Sequence, residues 1–83
     1  MNKNFIKINL NDFSKIKRFV QIAQSFYSDI DIVKGNVCLD GKSLLGVMAL
    51  DLSENVYVRI ISDDVAENRR FDATMEEFRW LFY

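Results

Sequence analysis

The sequence has no histidine, one cysteine and three glycines, and each scarcity removes a class of chemistry. Without histidine there is no Ser-His or Cys-His nucleophile pair, no imidazole metal ligand and no phosphohistidine. A lone cysteine, Cys38, can form neither an internal disulfide nor a thiolate metal cage. Nothing cationic lies near Cys38 in sequence to activate its thiol, so it reads as a small, half-buried strand residue. No apolar run approaches the roughly 18 residues of a membrane span. The opening "MNKNFIKINL" lacks the apolar stretch and small-residue cleavage site of a signal peptide. The chain reads as cytoplasmic, with no membrane partner.

What is present suits one compact domain over residues 1–83. Apolar residues make up 49%, with 7 Phe, 3 Tyr and 1 Trp, enough for a real core and too much for disorder. The net charge of −1 argues against direct nucleic-acid binding. Residues 1–42 carry seven basic and four acidic groups, residues 43–83 four basic and eight acidic, so opposite faces are expected to differ in sign.

Residues 4–10, "NFIKINL", alternate as a strand does, with Ile6, Ile8 and Leu10 facing inward. Helical spacing follows: Phe13, Ile16, Val20, Ala23 and Tyr27 form a stripe with Phe19 and Phe26 beside it, and Asn11 or Asp12 supplies the N-cap. "DIDIVK" (29–34) alternates again with Ile30 and Ile32 inward, Gly35-Asn36 suits a tight hairpin turn, and "VCLD" is the partner strand. Gly41 ends that strand and "KSLLGVMAL" (42–50) reads as a short apolar helix. "DLSEN" is a loop, "VYVRIIS" (56–62) a strand, and Asp63 or Asp64 caps a last helix to the C-terminus that buries Phe71, Met75, Phe78 and Phe82, with Leu81 alongside. Trp80 and Tyr83 fall off that stripe, exposed or in an interface. The order β-α-β-β-α-β-α predicts an α+β sandwich, an antiparallel sheet with its helices on one face.

The stretch "LDGKSLLGVM" (39–48) contains Gly-Lys-Ser, as the end of a nucleotide-binding loop does. A Walker loop places its first glycine five positions before Gly41, with four residues between, but that position holds Asn36, and Val37, Cys38 and Leu39 are strand formers. The nucleotide-loop reading fails. Ser43 then stands at a helix start, where it either caps the helix or accepts a phosphate whose charge the helix end tolerates. Leu44, Leu45, Val47, Met48 and Leu50 lie on nearly every side of about two helical turns, more than a small sandwich can bury. Part of that surface is expected to bind a partner. Gly46 costs helix stability, so a close approach explains it better than propensity.

"KSLLGVM" followed by "ALDL", at this place in a βαββαβα chain, resembles the histidine-containing phosphocarrier (HPr) family of the bacterial sugar phosphotransferase system. The likeness of topology covers essentially all 83 residues, the detailed similarity residues 26–62. The resemblance implies an open-faced β-sandwich, a four-stranded antiparallel sheet with three helices on one face. It implies that Ser43 is the regulatory serine phosphorylated by HPr kinase/phosphorylase, with Lys42 before it, and that Leu44, Leu45 and Met48 form an apolar patch that docks protein partners. The departure is severe. The family carries phosphate on a histidine in a His-Ala-Arg-Pro-like motif before the first helix; here that region reads "LNDFSKIK", with about Asp12 at the histidine position and neither arginine nor proline. The chain resembles paralogues that lost the histidine and kept the serine, some of which act in carbon catabolite regulation.

The expected function is a non-catalytic regulator of carbon metabolism that works by contacts of the Ser43–Leu50 helix and is switched at Ser43. The kinase/phosphorylase or a transcriptional regulator would be its partner. An unphosphorylated interaction or scaffold domain, dimeric through the same helix, is the alternative. An enzyme, or a carrier using an aspartyl phosphate at Asp12, lacks a second acid–base group, and Lys15 is too close in sequence to count as one. No cofactor is implied. Lys15, Lys17 and Arg18 form a basic cluster that reads as a solvated face. Asp63, Asp64 and Glu67 could invite a metal, but carboxylates complementing a helix dipole explain them more simply.

Overall fold

The computed structural model describes residues 5–51 and 55–79. Strand β1 (Ile6–Ile8) is followed by helix α1 (Phe13–Gln24), then by β2 (Asp29–Lys34) and β3 (Val37–Asp40). Helix α2 (Leu44–Met48), strand β4 (Val56–Ile61), helix α3 (Val65–Met75) and a 3₁₀ turn (Glu76–Phe78) complete the order. The four strands form one antiparallel sheet in the order β1-β4-β2-β3. This is the expected α+β sandwich.

Strand alternation decides which face is covered. Ile6, Ile8, Ile30, Ile32, Val56, Val58 and Ile60 point toward the helices and are buried, as is Leu10 beyond β1. Phe19, Val20 and Ala23 of α1, Val47 of α2 and Phe71, Met75 and Phe78 of the C-terminal segment close over them. The Phe19 ring meets Phe78 edge-on at 5.9 Å, and Phe26 meets Phe71 at 5.8 Å in the same way, a geometry that aromatic quadrupoles favour.

The β2–β3 hairpin turns on Gly35, whose φ of 59° is open to glycine at no steric cost. No non-glycine residue among those described has positive φ, so Asn36 does not share it; positive φ at the first central residue alone is the type II′ pattern. Gly41 is held by a different constraint. Its amide donates to the Ile30 carbonyl at 2.7 Å, and a Cβ there would lie 3.1 Å from that oxygen and 3.0 Å from Ile30 Cγ2. Gly41→Ala is therefore expected to lose roughly 1–3 kcal/mol, the usual range for overpacking, read from urea denaturation midpoints; an unchanged midpoint would mean that β2 yields at this point.

Four expectations are corrected. Phe13 is 52% exposed in the first turn of α1, and Tyr27 is 97% exposed because it lies beyond the C-cap Ser25, where helical spacing no longer applies. Cys38 pairs with Val33 on the face away from the helices, so it is exposed; Leu39, opposite Ile32, is the residue of β3 that packs on the core. Helix α2 runs over Leu44–Met48 and not 42–50, since Ser43 takes the cap position. The last α-helix stops at Met75, and Arg79 turns extended (φ −58°, ψ 142°) to bridge Ile8 at the sheet edge, where the Asn9 amide donates to the Phe78 carbonyl at 2.8 Å. Trp80, Leu81, Phe82 and Tyr83 lie outside the described residues.

Candidate functional site: the second helix and its surroundings

Ser43 begins α2 in an extended conformation, with its Oγ accepting the Gly46 amide at 3.1 Å. Its carbonyl accepts the Val47 amide at 2.9 Å, and its own amide donates to the Asp40 carbonyl at 3.1 Å. The cap reading of Ser43 is thus met in the structure. Gly46 has its close approach here: a Cβ on it would stand 3.2 Å from Ser43 Oγ. The missing methyl keeps space beside the hydroxyl, at a cost of about 1 kcal/mol of helix propensity relative to alanine.

The helix divides its apolar residues between core and surface. Val47 is fully buried and Leu44 and Leu50 pack partly against the core, whereas Leu45 is 82% and Met48 46% exposed. Met48 and Leu50 also line an open groove of ≈ 330 Å³ whose other wall is Leu10, Asp12, Phe13 and Ile16. The groove brings together two positions that sequence reading treated separately, the apolar helix and Asp12.

Asp12, not Asn11, is the N-cap of α1. Its Oδ1 accepts the Ser14 hydroxyl at 2.6 Å and the Lys15 amide at 2.9 Å, and these bonds, the hydroxyl first, hold its pKa below the usual carboxylate value. An ionised Asp12 therefore sits at the groove's edge throughout the neutral range.

Lys42 turns away from this groove. Its ammonium donates to the Phe26 carbonyl at 2.8 Å, its amide to Asp40 Oδ1 at 2.9 Å, and its carbonyl accepts Gln24 Nε2 at 2.9 Å. These contacts tie the start of α2 to the loop after α1. That loop is in turn held by α3. Glu67 Oε1 accepts the amides of Tyr27 (3.2 Å) and Ser28 (3.1 Å) and the Ser28 hydroxyl (3.1 Å). Arg70 pairs with Glu67 Oε2 at 3.1 Å, donates to the Ser25 carbonyl at 3.0 Å and stacks on the Phe26 ring at 3.7 Å. In the sequence Glu67 reads as a dipole-complementing carboxylate or, less simply, as part of an acidic cluster, and not as a clamp on this loop. An acid and a base three apart on α3 was the available signal, but nothing local marks the loop they grip.

The remaining candidates are accounted for by structure. Asp64 caps α3 through the amides of Ala66 and Glu67. Among the described residues no group of acidic or cysteine side chains could hold a metal ion. Arg18 pairs with Glu77, and Lys17 lies 5.6 Å over the Phe13 ring, so the basic cluster is partly engaged within the chain. No helix among the described residues is long and apolar enough to cross a membrane.

Comparison with known proteins agrees with this architecture. The family model described as "PTS HPr component phosphorylation site" matches residues 14–79. The crystal structure of HPr-C-His from Thermoanaerobacter tengcongensis superposes with a TM-score of 0.70 at 26% identity, covering 89% of this chain and 91% of that one. No curated protein matches. The four-stranded antiparallel sheet, the three helices and the family match together make this chain a member of the HPr family of the phosphotransferase system.

Proposed function

We propose that this chain is a regulatory member of its family, acting by protein–protein contact through α2 and controlled by phosphorylation of Ser43. The observation that carries the reading is Leu45, 82% exposed two residues after Ser43 on a helix anchored in the core by Val47. With no histidine in the sequence, phosphate transfer through an imidazole is closed to the chain, which supports contact over carriage.

A phosphate on Ser43 would add close to two negative charges at the start of α2, beside Leu45 and the groove that holds Met48. A partner with an arginine or lysine next to an apolar surface would recognise both features. Asp12 adds a fixed negative charge on the far wall of the same groove. The partners that fit are HPr kinase/phosphorylase as the modifying enzyme and a transcriptional regulator as the reader.

The test is incubation with ATP and an HPr kinase/phosphorylase, followed by intact mass spectrometry. One added phosphate is expected on the wild type and none on Ser43→Ala, whose lost cap costs about 1 kcal/mol and leaves the chain folded. An unmodified wild type beside a control substrate that the kinase does phosphorylate would reduce Ser43 to a cap.

A further inference from the structure

The face of the sheet away from the helices carries apolar surface at its centre and opposite charges on its two sides. Cross-strand register sets Lys7, Tyr57, Val33 and Cys38 in one row across β1, β4, β2 and β3. The adjacent row holds Arg59, Asp31 and Asp40, with Arg59 paired to Asp31 at 3.1 Å. Phe5, Val33 and Tyr57 line a hollow of ≈ 270 Å³, with the Arg59 guanidinium 5.0 Å over the Phe5 ring. Phe5 and Tyr57 are 44% and 42% exposed, and Ile61 on the same face is 48% exposed.

The charges divide by strand. Lys7 and Arg59 stand on β1 and β4, whereas Asp29, Asp31 and Asp40 stand on β2 and β3. A surface split in this way is complementary to itself about one kind of axis. A two-fold axis parallel to the strands, passing between β4 and β2, sets the basic half of one copy over the acidic half of the other. An axis perpendicular to the strands would set like over like. Isologous dimers are built on such self-complementary faces, and two sheets pack face to face at about 10 Å with their strands nearly aligned.

We infer that a second copy of this chain covers the open face about a two-fold axis parallel to the strands, with Tyr57, Val33 and Phe5 as the apolar centre. Lys7 of each copy then lies over the Cys38–Asp40 edge of the other. The inference goes beyond the proposed function, because this face is opposite the helices and the dimer leaves both α2 surfaces free. Four strands about 4.8 Å apart, of which only the central β2 and β4 reach six residues, give a face at most about 20 Å across each way, small for a stable interface. The dimer therefore forms and dissociates with concentration.

Sedimentation equilibrium from about 10 μM to about 1 mM spans the range in which a small interface dissociates. The wild type is expected to dimerise, Tyr57→Glu, which sets an acid over the acidic half of the other copy, to weaken dimerisation about tenfold or more, and Leu45→Lys on α2 to leave it unchanged. Lys7→Cys supplies an independent reading, since a short bismaleimide should then join the introduced thiol of one copy to Cys38 of the other. The wild type should resist the reagent, because the two Cys38 side chains stand on opposite sides of the dimer. Both substituted positions on this face are surface ones, and an unaltered melting temperature confirms that the variants fold. A wild type that is monomeric at the highest concentration overturns the inference, as does a dimer that Leu45→Lys abolishes and Tyr57→Glu spares.

Discussion

Replacing Phe19 with alanine is expected to cost about 3–5 kcal/mol, the range for removing a buried aromatic ring. A chain of 83 residues has roughly 4–12 kcal/mol to lose at ordinary stabilities per residue, so this one substitution leaves little. The position explains the size. Phe19 is fully buried, meets Phe78 edge-on at 5.9 Å, and has its Cε2 3.4 Å from where a Cβ on Gly41 would be. It thereby joins α1, the C-terminal 3₁₀ turn and the turn that leads into α2. The cavity left by alanine could close only if all three shifted, and strands β2 and β4, held by their ladder, resist that. Urea denaturation gives the measurement: the midpoint should fall steeply in the variant. A loss near 1 kcal/mol would be that of a single methylene and would mean that the seam collapses freely around the missing ring.

Phe19 also shows where sequence reading stops. Strands were legible because alternation over five to seven residues is a local pattern: Ile6, Ile8, Leu10, Ile30 and Ile32 are buried as expected. Helix positions were legible only in part, since Phe13 inside α1 is exposed and Phe26 beyond its cap is buried. Phe19 and Phe26, beside the expected stripe, are in the core, whereas Tyr27 is in solvent, because Ser25 ends α1 with its amide and hydroxyl both on the Ile22 carbonyl. That hydroxyl contact is a short-range choice between equally common serine roles, and the pattern of apolar residues does not report it. At the candidate site, Ser43 as a cap followed from a serine before an apolar run. The destination of the Lys42 ammonium did not, since Phe26 is 16 residues away in sequence. The longer the loop a contact closes, the less its two ends say about it beforehand.

Glu67 is another such case, 40 residues from the Tyr27 amide it accepts, and its replacement tests whether the fold supports α2 from a distance. Burial alone would raise the Glu67 pKa. The Ser28 amide, the Arg70 guanidinium and the Ser28 hydroxyl together outweigh burial and hold it below the ordinary 4.5. A carboxylate with a depressed folded pKa stabilises the protein fully above its unfolded value, and that contribution is lost as pH falls through the folded value. Glu67→Gln is therefore expected to lower Tm at neutral pH. The gap from the wild type should narrow once pH drops below about 4.5, because position 67 titrates in the wild type and not in the variant. Glu67→Ala should lower Tm further, since the Tyr27 and Ser28 amides then have no acceptor. The consequence reaches the candidate site through a chain of contacts: Glu67 holds the loop, the Phe26 carbonyl of the loop receives Lys42, and Lys42 precedes Ser43. Hydrogen exchange at the Tyr27, Ser28 and Gly46 amides should accelerate together in Glu67→Ala. A Tm gap that stays constant through the acid range would show that the carboxylate does not titrate in this cluster. Unchanged exchange at Gly46 would show that α2 keeps its start without the clamp, and that Lys42 and Gln24 suffice to hold it.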